Sequence, residues 1–213
     1  MNTAIETAPL SRPVALPEPR PTFAGSVRGE VLKLSRQRGT WAMLGLALLL
    51  YLLVTAALFG AAPFKRTLAI SPTQFLSNLY DIYLTIFDTG SGIFLLLLSA
   101  RLVGMEYSGG TIRVLLARGA GRLRLLAAKL AALALVAVGL LTGFLALTSA
   151  TVYLVVVAWA GSFRPLSSLP GHLWHDLATE IVVALVSMAA AIVIGTTASV
   201  VGRSVAFGIG AAL

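Results

Sequence analysis

Residues 101–129, RLVGMEYSGGTIRVLLARGAGRLRLLAAK, decide how the rest of the chain is read. Six of them are cationic (Arg101, Arg113, Arg118, Arg122, Arg124, Lys129) and one, Glu106, is acidic. The segment lies between two long apolar runs and is punctuated by Gly109, Gly110, Gly119 and Gly121. A basic, interrupted stretch between apolar runs is the pattern of a loop held at one face of a membrane.

Composition agrees. The chain is 58% hydrophobic and 11% charged, where a soluble domain carries about a quarter charged residues. A protein core of this size cannot absorb so much apolar surface, and lipid is the natural solvent. The net charge of +8 does not point to nucleic acid, because the excess flanks apolar runs instead of coating one face of a soluble fold. With no cysteine present, disulfides, thiolate metal sites and cysteine nucleophiles are excluded.

Outward from the basic segment, the amino-terminal residues 1–22 hold Pro9, Pro13, Pro17, Pro19 and Pro21 and read as a disordered or polyproline-like tail. Residues 24–38 follow as an amphipathic helix. Val27, Val31, Leu32 and Leu34 lie mostly on one side, with Arg28, Glu30, Lys33 and Arg36 largely off it, which suits a helix lying on lipid headgroups. Residues 41–62 carry no charge and form the first predicted span; at about 33 Å they cross the hydrocarbon core. A short helix over 73–83, with Tyr80 and Tyr83 as interfacial aromatics, is expected at the far surface before a second span over 82–103.

The second span contains Asp88, with Gly90 and Gly92 after it. An acid inside a span costs a few kcal/mol on insertion scales and calls for a role. Spans three and four are expected over 130–160 and 177–201, the last with Glu180 near its outer end. Asp88 and Glu180 are thus candidates for a substrate path, against the plainer reading of hydrated or helix-paired acids. Gly139 and Gly143 make a GxxxG pair able to seat a neighbouring helix. His172, His175 and Asp176 are too few ligands for a metal site, and no metal is expected. Residues 205–213 read as the start of a fifth span.

The cations give the orientation. Arg12, Arg20, Arg28, Lys33, Arg36, Arg38, the six of the central segment and Arg203 make thirteen on one side, against Lys65, Arg66 and Arg164 on the other. By the positive-inside rule the amino terminus and residues 104–129 are cytoplasmic.

Within the central segment, Thr111 to Arg118 forms a short helix with apolar and arginine residues, built to dock on a partner. Glu106, Gly110, Thr111, Ile112, Arg113, Leu115 and Leu116, then Arg122 and Lys129, resemble the signature of ABC-2 type transporter permeases. Glu30, Lys33 and Arg36, ahead of Trp41, resemble that family's interfacial helix. The resemblance covers residues 27–213. It departs at Gly119-Ala120-Gly121, where the family often has a proline-containing turn, and in span number, since the family usually has six.

The resemblance implies an all-α polytopic bundle of the type-2 exporter kind, here truncated after four spans and the start of a fifth. It implies a permease subunit, most simply an exporter, in a bacterial cytoplasmic (inner) membrane. Residues 104–129 would couple it to a separate ATP-binding cassette subunit, which holds the ATP and Mg²⁺, and a second permease copy or homologous permease would complete a dimer. The chain itself carries no Walker A loop, since none of its three lysines follows glycine and precedes Ser or Thr. It therefore supplies no ATPase and is expected to hold no cofactor. The competing readings are a non-transporting scaffold or sensor and a membrane-embedded enzyme using Asp88, Glu180, His172 and His175. Spacing alone assembles no nucleophile–base pair for the latter.

Overall fold

The computed structural model describes residues 22–60, 70–108, 122–160, 171–202, 204, 209 and 210. The described residues form five long helices: α1 (Phe23–Arg36), α2 (Arg38–Gly60), α3 (Pro72–Ser108), α4 (Arg122–Ala160) and α5 (Gly171–Gly202). Helices α2 to α5 are each long and apolar enough to cross a membrane. With 37 and 39 residues, α3 and α4 reach about 55 and 58 Å, well beyond the ~30 Å hydrocarbon core.

Thr22 starts α1 as its N-cap, its hydroxyl accepting from the Gly25 amide at 3.2 Å. Gln37 breaks the helix with extended backbone, and its carbonyl then accepts from the amides of Thr40 and Trp41 as α2 begins. The Trp41 indole N–H donates to the Ser35 carbonyl at 2.7 Å. Side chain and backbone together fix this elbow.

Helix α3 is the centre of the bundle: half of its apolar window is buried, and almost none of α2's is. Its inward residues build two cores. Phe94, Leu95, Leu98 and Leu102 pack with Leu34 of α1, Leu133, Ala137 and Leu141 of α4, and Met188, Ala191 and Ile192 of α5. Further along, Phe75, Leu76, Leu79 and Tyr83 pack with Tyr51 of α2 and with Val152 and Val156 of α4.

Two sequence expectations change here. Residues 73–83 are not a separate surface helix; they are the opening turns of α3. Phe75, Leu76, Leu79 and Tyr83 recur at helical spacing and bury one face against α2 and α4, which outweighs the polar residues between them. Among the described residues Gly139 and Gly143 seat no helix: a Cβ on either meets nothing within 4 Å. The proline-rich tail and nearly all of residues 205–213 lie outside the described residues.

Candidate functional site

At the end of the bundle carrying the described Lys and Arg residues, α1 lies across the beginning of α4. Leu34 inserts into the first core with 2% of its surface exposed. One turn earlier, Glu30 Oε1 accepts an ion pair from Lys129 Nζ at 3.0 Å, with 14% and 4% of their side chains exposed. The other carboxylate oxygen, Oε2, is buried without a hydrogen-bond partner. The buried side of α1 is therefore carried by Glu30 and Leu34, while Leu32 is half exposed and Lys33 and Arg36 face outward. From α3, the Arg101 guanidinium lies against Gly39 in the first turn of α2, where a Cβ would collide with it.

The same end holds a helix crossing with backbone-close contact. Helices α3 and α5 run parallel, since Gly92 lies near Ser187 and Gly195 lies against Leu96, Ser99 and Ala100. A Cβ at Gly195 would stand 2.7 Å from the Leu96 carbonyl oxygen. Ser199 Oγ donates to the Ala100 carbonyl at 3.1 Å across the interface.

Toward the opposite end, aromatic rings and hydroxyls tie α2, α3 and α4 together. Tyr51 and Tyr83 stack with ring centroids 5.2 Å apart, and Phe87 stacks on Phe144 at 4.1 Å. Thr55 gives its proton to the Tyr51 carbonyl at 2.7 Å, so the Tyr83 hydroxyl donates to Thr55 Oγ1 at 2.9 Å. The Tyr51 hydroxyl in turn donates to Thr151 at 2.8 Å.

Asp88 follows the first residue of α3 by 16 positions, deeper along the helix than a span opening at residue 82 would put it. It is half-buried, and its Oδ1 is sealed from solvent with no hydrogen-bond partner. Glu180 is exposed on α5. The register between Gly92 and Ser187 sets the two acids within about a turn of each other in height. His175 Nδ1 and Asp176 Oδ1 stand 3.8 Å apart, both well exposed. Among the described residues no group of three or more His, Asp or Glu converges as a metal site would require.

The sequence profile of the ABC-2 family transporter proteins matches residues 26–213, running from α1 through all four apolar helices. The chain belongs to the ABC-2 transporter family. No curated protein and no solved structure matches it. Family and fold together make this a multi-pass membrane protein and an ABC-2 permease subunit, the transport component of an ABC transporter. Such a component works with an ABC ATPase subunit and is generally non-catalytic.

The residues that carried the ABC-2 resemblance are placed unevenly. Glu106 lies in the last turn of α3 and Arg122 opens α4. Gly110, Thr111, Ile112, Arg113, Leu115, Leu116 and Arg118 lie outside the described residues. What the structure joins directly is Glu30 of the interfacial helix with Lys129, the last residue of the basic segment. Sequence reasoning named both groups without pairing them. It also passed over Gly195, whose role depends on a helix nearly a hundred residues earlier in the chain, and the Tyr51–Thr55–Tyr83 cluster, of which only Tyr83 was read, as an interfacial aromatic.

Proposed function

We propose that this permease moves an amphiphilic cargo outward across a bacterial cytoplasmic membrane, driven by a separate ATPase docked on residues 104–129. The observation that carries the proposal is the Glu30–Lys129 pair. It fastens the interfacial helix to the start of α4, so force applied to the basic segment reaches α1, α4 and, through Leu34, the core around α3. The orientation rests on the count of cations, with the amino terminus and the basic segment in the cytoplasm. ATP and Mg²⁺ bind the partner, and a second permease copy or a homologous permease completes the transporter. Asp88 and Glu180 lie along the path of the cargo.

The mechanism is a shift of populations. Closure of the ATPase dimer moves the docked segments, and the spans rearrange between inward-open and outward-open forms. The test is reconstitution of the chain with the ATPase that co-purifies from native membranes. Arg113→Glu is expected to weaken ATPase association while leaving the spans inserted. Glu106→Ala is expected to keep association but uncouple hydrolysis from transport. If both variants bind and couple as the parent does, the segment is not the coupling element.

A further inference from the structure

The exposed face of α3 is the wrong kind of surface for lipid. On α2 the outward residues are apolar, among them Leu46, Leu49, Leu50 and Leu53, as a lipid-facing helix requires. On α3, Gln74, Asn78, Asp81, Thr85 and Thr89 are exposed and Asp88 is half-buried. They recur three and four residues apart and so form one stripe along the helix, while the opposite face is buried in the two cores. The polarity is inverted relative to a span bathed in lipid.

Depth can be set from the basic end. Arg101 and the Trp41 elbow mark one membrane interface. Asp88 then lies about 20 Å along α3 from Arg101, inside the hydrocarbon core, and Asp81 about 30 Å along, at the far interface. The stripe thus leads from the far surface down to a carboxylate that lipid cannot solvate.

The charge around it is one-sided. Asp81, Asp88, Asp176 and Glu180 all lie on the far halves of α3 and α5, and the described Lys and Arg residues all lie toward the other end. Lys65, Arg66 and Arg164 belong to connections outside the described residues. Asp88 Oδ1 is sealed yet unpartnered, and no Lys or Arg among the described residues lies at its end of the bundle to compensate its charge. A second copy placed face to face does not compensate it either, because a two-fold contact sets Asp81 and Asp88 against their own images. In a low-dielectric site such repulsion is strong.

We infer that the α3 stripe is the wall of a hydrated cleft in which Asp88 receives the positively charged group of a cationic amphiphile. This rests on the permease reading and adds the charge of the cargo to it. Water along Gln74 to Thr85 lets a charged head enter, and the apolar body of the ligand lies against the surrounding spans. The carboxylate supplies discrimination by sign, because an anion of the same shape meets an unpaired negative charge in a poorly screened site.

The experiment uses the full chain in phosphatidylcholine nanodiscs, without ATPase or ATP, with empty nanodiscs subtracted. The probes are tetraphenylphosphonium and tetraphenylborate, lipophilic ions of nearly the same shape and opposite charge. Saturable binding of the phosphonium and none of the borate is expected. Asp88→Asn should weaken phosphonium binding at least tenfold while the variant melts no lower than the parent, because the substitution removes an uncompensated charge. Asp88→Glu should retain binding. Saturable binding of both ions alike, no saturable binding of the phosphonium, or unchanged binding by Asp88→Asn each overturn the inference. A drop in melting temperature with Asp88→Asn, with binding lost in proportion, assigns Asp88 a structural role and overturns it as well. Failure of ATPase docking in the earlier reconstitution bears on the permease reading and leaves these binding measurements unaffected.

Discussion

Glu30 of α1 and Lys129 of α4 meet at 3.0 Å in a site where neither side chain has appreciable access to water. An ion pair so enclosed adds little net stability as a pair, but loss of Lys129 strands the Glu30 carboxylate, at about 3–5 kcal/mol. Its value lies in fixing which part of α1 touches which turn of α4.

The first prediction is therefore non-additivity. Lys129→Met and Glu30→Gln are each expected to lower the melting temperature strongly in detergent. The double variant should lose much less than the two losses combined, since it leaves no stranded charge. Additive losses would show that the two residues do not interact.

Gly195 provides a second test. A methyl group there meets the Leu96 carbonyl, which is backbone and cannot swing aside. Gly195→Ala should force α3 and α5 apart and cost about 1–3 kcal/mol, as overpacking does. Gly139→Ala and Gly143→Ala, with nothing within 4 Å, should be neutral in the purified single chain. The fraction of monodisperse protein surviving a heat step, compared across the three variants, decides it.

The tyrosine cluster allows a graded comparison. Tyr83→Phe removes one hydroxyl donor to Thr55 and should cost about 0.6 kcal/mol, the average for hydrogen bonds between membrane helices. Tyr83→Ala also removes the ring stacked on Tyr51 and should cost about 3–5 kcal/mol. Equal losses for the two variants would mean that the hydroxyl dominates.

The proposed orientation makes a fourth prediction. A cysteine replacing Arg118 should react with an impermeant thiol reagent only from the cytoplasmic side, and one replacing Ser168 only from outside. Labelling of both from one face would remove the basis for a four-span topology.

The four apolar helices were legible because lipid imposes a length and composition that local sequence must satisfy. The elbow at Gln37 fell close to the expected boundary for the same reason, since charge stops where the apolar run starts. What local sequence cannot carry is the identity of a distant partner. A helical wheel puts Glu30 with the charged side of α1 and Leu32 with the apolar side, whereas Glu30 is drawn inward by Lys129 and Leu32 is half exposed. Tyr80 and Tyr83 as interfacial aromatics suggested a surface helix over 73–83, yet Tyr83 is buried with Phe75, Leu76 and Leu79 on the inner side of α3. GxxxG marked Gly139 and Gly143, while the backbone-close crossing uses Gly195, in the small-residue series Ala191, Gly195, Ser199 at four-residue spacing. For the candidate site, the acids were visible individually. Their common face and the sealed oxygen of Asp88 depend on how α3 is rotated in the bundle.

The crossing at Gly195 sets a lever arm for α3. Any tilt of α3 about that contact would be amplified with distance along the helix. Asp88 lies about 17 Å along α3 from Ser99, so a tilt of about 5° carries the carboxylate about 1.5 Å sideways. That displacement is half the length of an ion pair, so a small swing about Gly195 makes or breaks a contact at Asp88 while the packed crossing itself stays in place.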